Sequence, residues 1–475
     1  MAIVPLFGVG LQGKSPAITS QRRVNAYYEF EKYQDKTKVS IIGTPGLTLF
    51  CSFGDTPVRG MITFGTLLYA VHRGTFYEIN NAGVTTSRGT LNTTSGRVDM
   101  ATNGTQIVIT DGTNGYYYTI ATTTLAVISD PQYPSTATTV TWQKTYFMVE
   151  YLGAFYISAN NDGSLWDALD FATAESTPDN LVRVFADHGE ICLFGTQTTE
   201  FWASTESADF PWAKVGPTVE VGLASKWSLT KFDDSMAFLG KNLLGQVQVM
   251  RLNGYTAIPI SNPELDHIIN GYGTVSDATA FSYMLGGHPM YQINFPSAGK
   301  SWLYDSLASA QAGSPVWTQL ESGLDGERHR AEIACDFLNK VRVSDYSTGD
   351  IYNIDNTVYD DNGMAIPFEV VSRHMIDGFD PLMVNRLFVD FETGVGLATG
   401  QGSDPQVMLQ VSQDGGHSWG NERWRTIGPI GQYKTRAEWY RLGMASDFVF
   451  KLRITDPVKR FITGAAMDTI GTQRW

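Results

Sequence analysis

The sequence predicts an all-β fold: a six- or seven-bladed β-propeller with an N-terminal β segment and a C-terminal β-sandwich domain. Three observations carry this. Glycine is abundant at 47 residues and aromatics make up 12%, threonine is frequent and helical periodicity is scarce, the pattern of short strands linked by tight turns. A hairpin-like unit recurs through the middle of the chain. Beyond residue 362 that unit gives way to strands that alternate apolar and polar side chains.

Residues 1–54 form the N-terminal segment. Within it "RVNAYYEFEKYQDKTKVSIIGTPGLTLF" reads as two strands joined by a charged turn, with Pro45-Gly46 making a second turn. This segment is expected to supply an outer strand that closes the propeller ring.

Residues 55–362 carry the repeat. Each copy is an apolar strand, a glycine-centred or polar turn, and a second strand bearing an aromatic pair about ten residues on. "GTLLYAVHRGTFYEI", "TQIVITDGTNGYYYTI", "KTYFMVEYLGAFYISA" and "GEICLFGTQTTEFWAS" are the clearest, and three longer copies follow. Leu67, Ile107, Tyr146, Ile191, Met236, Met290 and Val341 are equivalent points separated by 39 to 54 residues, the period of a propeller blade. A hairpin alone exposes one apolar face, and radial stacking of four-stranded sheets covers those faces.

Residues 363–475 form the sandwich. "NRLFVDFE", "VMLQVS" and "FVFKLRI" have the period-2 alternation of half-buried strands, and about 110 residues suffice for a separate domain.

The chain has 475 residues, 43% hydrophobic and only 17% charged, below the roughly 25% of an ordinary soluble domain. Such a surface suits a subunit that hides much of itself against partners. Against 34 Lys and Arg stand 48 Asp and Glu, a net charge of −14, which repels duplex DNA and argues against sequence-reading of nucleic acid. Cys51, Cys192 and Cys335 are odd in number and far apart, so they are read as buried free thiols with neither a disulfide framework nor a zinc site. The N-terminus lacks a secretion-signal pattern and no apolar run approaches 20 residues, so a soluble protein folding in a cytoplasm, without stable membrane insertion, is expected.

Chemistry enters first through "VSQDGGHSW". Ser412, Asp414, Gly416 and Trp419 have the S-x-D-x-G-x-x-W spacing of an Asp-box, which recurs in propellers including those of sialidases. In that turn the carboxylate accepts backbone N–H groups, glycine supplies conformational freedom and the aromatic packs beneath, which is structural work. "SANNDGSLWDALD" repeats the idea at Asp162, Gly163 and Trp166. Asn160, Asp162 and Ser164 alternate as calcium ligands do, but no glutamate closes a twelve-residue loop. The seven histidines, His72, His188, His267, His288, His329, His374 and His417, show no HxH or HExxH spacing and are expected mostly in turns or on the surface. "GLQGKS" lacks the first glycine of a phosphate-binding loop. No catalytic, cofactor or metal residue is assigned. "ERWRTIGPIGQYKTRAEWYRLG" sets Arg423, Arg425, Lys434, Arg436 and Arg441 among Trp424, Tyr433, Trp439 and Tyr440. Basic and aromatic residues together suit nucleic acid. On alternating strands they place aromatics on one face and arginines on the other, and the favoured reading is a protein interface through Arg423, Arg425, Arg436, Trp439 and Arg441.

Taken in order, "SQRRVNAYYE", "GTPGL", "NNDGSLWDALDFATAE", "DNLVRVFADHGEICLFGTQTTEFW", "ADFPWAKVGPTVEVGLAS", "SNPELDHIINGY" and the tail from "VMLQVSQDGGHSWGNERWR" to "FVFKLRITDPVKR" resemble the packaged-DNA stabilisation proteins of short-tailed phages (podoviruses), also called tail nozzle or tail-hub proteins. The resemblance covers nearly the whole chain. It implies a propeller with further β-domains, assembled as a sixfold ring (a hexamer) below the portal and adaptor rings, which closes and extends the DNA exit channel. It implies a virion-tail location after assembly in the host cytoplasm, neighbours that include tail fibres or spikes and a tail needle, and genomic DNA passing through the lumen without sequence-specific contact. Ser412–Trp419 looks like one of the family's recurring strings, as do Thr199, Glu200, Asp209, Phe210, Pro211, Glu220 and Gly222, and none of these receives a catalytic role. Two other readings stay open: a propeller glycosidase or lectin acting on cell-surface sugars, and a tail-fibre adaptor that only docks receptor-binding proteins.

Overall fold

The computed structural model describes residues 2–3, 8–33, 36–174, 179–205, 207, 210–378 and 380–471. Strands dominate, and the only α-helices among the described residues are Pro263–Asn270 and Ser306–Ala312. The first starts where the Asn262 side chain accepts the Leu265 N–H, with proline in the first turn. The second starts where Asp305 accepts the Ala308 N–H, and it stops at Gly313 in the left-handed region. Both starts satisfy backbone donors that a helix end otherwise leaves unpaired.

Seven antiparallel units follow one another. Six are built from consecutive strands within 58–90, 99–127, 140–173, 181–219, 221–259 and 279–322. The seventh joins Ala331–Phe337, Lys340–Asp345 and Asp350–Asp355 to Gly46–Ser52 from the far end of the chain, with Ile351 opposite Cys51 and Asn353 opposite Thr48. Opening strands of neighbouring units pack side by side: Val58–Phe64 lies against Asp99–Thr102 on one flank and Ala331–Phe337 on the other. Each interface between units has its own apolar core, such as Tyr69, Phe76, Ile107, Tyr116 and Tyr118 between the first and second.

Local chemistry explains why the unit repeats. Two-residue hairpin turns of type I′ need positive φ at both centres, which matches the twist of the strands they join. Gly286-Gly287 supplies this with φ of 57 and 93, and Leu152-Gly153 does so with φ of 48 and 83. A second device recurs between the second and third strands of two other units. Asp111 accepts the Thr113 and Asn114 N–H groups and the Tyr116 hydroxyl. Asp345 does the same with the Ser347 and Thr348 N–H groups and the Tyr352 hydroxyl. A carboxylate thus fixes the turn and the aromatic of the next strand together.

The N-terminal segment is divided between two tasks. Gly46–Ser52 completes the seventh unit, whereas Ala26–Tyr33 and Lys36–Gly43 extend a sandwich sheet with Phe461–Gly471, Leu382–Phe391 and Ala437–Ala445. Arg22–Val24 enters the opposite sheet beside Phe368–Val371, followed by Val449–Ile454, Gln406–Ser412 and Arg423–Thr426. Val24 also bridges in parallel to Gln319, so the sixth unit and the sandwich share one continuous sheet. The sandwich core holds Tyr28, Phe368, Leu387, Leu409, Trp439, Phe450 and Leu452.

His288 fastens these two parts: among histidines expected mostly in turns or on the surface it is 2% exposed, and His72 is buried as well. Its Nδ1 faces Asp305 at 2.9 Å and its Nε2 faces Glu29 of the sandwich at 3.1 Å. Burial opposes the charged ring, but the two carboxylates outweigh it and raise the pKa. A raised folded-state value means that this stabilisation is full below the unfolded value of about 6.5 and is lost as pH rises through the folded value. Denaturant titrations of the parent and of His288→Gln across pH 5 to 9 are therefore expected to differ most at the acid end and to converge towards the alkaline end. A gap independent of pH refutes the coupling.

Candidate functional site

Strands Val58–Phe64, Asp99–Thr102, Leu181–Asp187, Thr279–Leu285 and Ala331–Phe337 contribute to the lining of one small, largely filled cavity. Two guanidinium groups approach the Trp227 ring, Arg97 at 4.7 Å and Arg183 at 5.4 Å from its centre. Arg183 donates to the Lys226 and Leu229 carbonyls and faces Asp99 at 3.5 Å, and Arg97 faces Glu332 at 3.9 Å. Burial lowers the pKa of both arginines, and the carboxylates oppose that shift. A cavity of about 160 Å³ remains, lined by these residues with Met61, Phe281 and Ile333. It has room for a few waters, each occupying about 30 Å³, and none for a nucleic-acid strand. These residues lie far apart in sequence with no motif spacing, so only the fold brings them together.

The Asp-box is a closed turn. Asp414 accepts the Ser412 hydroxyl at 2.6 Å and the Ser418 N–H at 2.9 Å, while Ser412 Oγ accepts the Gly416 N–H at 2.8 Å. The Ser412 and Ser418 hydroxyls, with help from backbone N–H groups, hold the Asp414 carboxyl far below the usual carboxylate range. A carboxylate so bound is spent on its own turn and is unsuited to proton transfer near neutral pH. Trp419 is half-buried under Lys451, whose Nζ sits 4.3 Å from the ring centre. The second turn behaves alike: Asp162 accepts the Ser164 N–H and hydroxyl, Trp166 donates to the Gly163 carbonyl, and Asn160 makes no part of it.

The string around Thr199 lies at the joint between the fourth and fifth units. Thr199 is fully buried and donates its hydroxyl to the Val221 carbonyl at 2.8 Å. A Cβ on Gly222 lands on backbone atoms of Gln197 and Thr196. The same loop, 195–198, is organised by Asp179, which accepts the Thr196, Gln197 and Thr198 N–H groups. Glu200 is buried with Lys214 at 3.3 Å, Phe210 packs against Phe155, the Pro211 carbonyl accepts the Thr205 N–H, and Glu220 is exposed. Asp209 lies outside the described residues.

The basic and aromatic stretch needs correction. Trp439 is 1% exposed, a member of the sandwich core that donates to the Arg423 carbonyl. Its burial removes it from any outer surface. Arg436 is exposed and already faces Asp390 at 2.6 Å. Arg423, Arg425 and Arg441 are exposed together with Trp424, Tyr433 and Tyr440, and along Arg423–Thr426 the two arginines stand opposite the core residues Leu409 and Val407 while Trp424 stands opposite Met408, so cations and aromatic alternate there. The strand irregularity between Val384 and Arg386 and the positive φ of Arg441 interrupt the alternation just after Tyr440.

Cys51 and Cys192 are buried and Cys335 is half-buried, all with free thiols. Burial pushes the Cys51 and Cys335 thiols up to about 12, which keeps them protonated and unreactive.

Comparison with known proteins follows the same division as the fold. A family described as the β-propeller of bacteriophage P22 Gp10, the phage-stabilisation family, matches residues 7–359. A second, described as the β-sandwich of the same protein, matches residues 368–469. The tail hub protein gp10 of Salmonella phage P22 is 26% identical over 293 residues, 59% of this chain and 58% of that protein. The matched stretch thus spans less than two thirds of that relative. The computationally designed Ika8 protein and the mitotic checkpoint complex align over 70% and 60% of this chain (100% and 85% of theirs) at 11% and 10% identity, each with a TM-score of 0.39, a likeness too loose to bear on function.

Proposed function

The chain belongs to the phage-stabilisation family represented by Gp10 of phage P22, and from that premise we propose that it is a structural subunit of a short-tailed phage's tail nozzle. In this reading the seven units are the blades of one closed propeller, Gly46–Ser52 being the strand that closes it. Six copies form a ring below the portal and adaptor, retain the packaged genome and conduct it outward, while fibres or spikes and a needle attach outside. The reading includes no catalytic step.

The observation that carries the proposal is the ordered match to both domains. The small cavity sets a condition on it: at about 160 Å³, it offers DNA no passage, so a conduit must be walled by several copies. Duplex DNA carries one charge per about 1.7 Å of axis, and an arginine-lined wall would grip it through many phosphates. Some of the excess carboxylates therefore line the lumen, leaving a wall that adheres weakly. Negative-stain imaging and native mass of the protein, alone and with the portal–adaptor complex, are expected to show a hexameric ring on that complex. A monomer that ignores the complex and instead binds or cleaves surface glycans overturns the proposal. A cryo-EM map with a predominantly basic lumen overturns the charge argument alone.

A further inference from the structure

The cavity beside Trp227 gathers more positive charge than its carboxylates cancel. Arg97 makes no hydrogen bond among the described residues, and the Glu332 carboxylate stands 3.9 Å away, too far to accept one. Arg183 is 9% exposed. Its Nη1 donates to the Lys226 and Leu229 carbonyls, its Nη2 stands 3.5 Å from Asp99, and its buried Nε has no partner among the described residues. Both carboxylates are already engaged: Asp99 accepts the Val140 N–H at 3.1 Å and Glu332 accepts from Arg328 at 2.6 Å.

Counting the linked side chains gives three guanidinium groups, Arg97, Arg183 and Arg328, against two carboxylates, Asp99 and Glu332. One positive charge is left over. Lys226, the next cation along the chain, does not alter the balance, because it is matched by Glu150. Burial lowers the Arg97 pKa and the Arg183 charge lowers it further, against Glu332 and Asp99. Trp227 eases that strain through its π face, but indole is a donor only and gives the N–H groups nothing to bond to. Met61, Phe281 and Ile333 make the rest of the wall apolar, so a charge here is screened less than it is in water.

We propose that this cavity binds one small monovalent inorganic anion, of which chloride is the type, between the N–H groups of Arg97 and Arg183. Size and charge together set the class. About 160 Å³ takes a halide with accompanying water and has no room for a nucleotide, while a dianion such as sulfate brings one charge more than the cluster lacks. Position gives the site a consequence. Arg97 leads into the first strand of the second unit, Arg183 lies in the first strand of the fourth, Trp227 belongs to the fifth, and Arg328 and Glu332 lie in the sixth and seventh. An anion held here ties parts of the chain that no strand pairing joins. The inference stands on these residues and does not rest on the nozzle reading.

Chloride NMR on the purified full chain tests it, since a bound and exchanging chloride broadens the signal of the free ion. The parent is expected to broaden it saturably, with one site per chain, and bromide is expected to reverse the effect far better than sulfate at equal ionic strength. Arg97→Met removes a side chain with no hydrogen bond to lose, and it is expected to weaken binding at least about tenfold, the worth of one charge-assisted hydrogen bond. Arg73→Met is the control, because Arg73 is exposed and paired with Asp55, and it is expected to behave as the parent. Broadening that never saturates, or that Arg97→Met leaves unchanged, overturns the site. Sulfate that competes as well as bromide overturns the charge count on which it stands. A second measurement needs no variant to fold: crystals of the parent soaked in sodium bromide are expected to show an anomalous peak beside Arg97. Peaks confined to the outer surface mean an adventitious ion only, and they overturn the proposal.

Discussion

Replacing Arg23 with methionine is expected to cost about 3–5 kcal/mol of stability, the range for breaking a buried charged network. Arg23 is 1% exposed. Its guanidinium donates to the carbonyls of Gly8, Val9, Gly10 and Trp317 and to the Tyr28 hydroxyl. No carboxylate takes part, so the group works as a multiple donor that ties the N-terminal segment to the sixth unit and to the sandwich at once. Methionine fills similar space but leaves the buried Trp317 carbonyl and the part-buried carbonyls of Gly8, Val9 and Gly10 short of a donor, a penalty of about 1–3 kcal/mol for a buried group when unrelieved. The adjacent Arg22 is the control. It is 38% exposed and faces the buried Glu321 at 2.8 Å and Glu369 at 3.1 Å, and Arg22→Gln is expected to cost a smaller loss of about 1–3 kcal/mol, the penalty for leaving buried acceptors short of a donor. Urea denaturation of both variants measures the contrast. Equal losses at the two positions refute it.

These arginines show where the sequence stops being legible. Hairpin units are visible because alternation and turn residues are local, and the period of the repeat reports the stacking that neighbouring units need. The change to sandwich strands near residue 363 is visible for the same reason. How the N-terminal strands are shared is not, because Arg22–Val24, Ala26–Tyr33, Lys36–Gly43 and Gly46–Ser52 all look alike as β-strands, and the strands they join in the two domains lie some 300 to 420 residues away. The cluster of Arg97, Trp227 and Arg183 is hidden likewise, since its members come from different units. Trp439 misleads in the opposite sense: set among arginines it looks like surface, yet alternation along its strand puts it with Ala437 on the core face, opposite Leu387. The Asp-box was legible as chemistry, for its hydrogen bonds close within seven residues.

Gly222→Ala is the second large effect, and it asks what a family-like string is for. Gly222 sits in Val221–Leu223, the first strand of the fifth unit, with Lys241 as its partner. A Cβ at this position runs into the Gln197 nitrogen and the Thr196 carbonyl carbon, with the Gly195 oxygen close behind. These are backbone atoms of a loop that Asp179 already pins through three N–H bonds, so no side chain can swing away to make room. Overpacking of this kind costs about 1–3 kcal/mol, and the upper end is expected because strand and loop must separate and the Thr199 bond to the Val221 carbonyl must stretch with them. Loss at this joint loosens the fourth unit from the fifth, so hydrogen exchange is expected to rise first over 195–199 and 221–223. Gly273→Ala is the control, because no atom lies within 4 Å of a Cβ built there, and a change within about 0.5 kcal/mol is expected, as for surface substitutions. If both alanines melt alike, close approach of the two backbones is not what Gly222 provides. If only Gly222→Ala melts early, the string marks a joint of the propeller rather than a surface for any ligand.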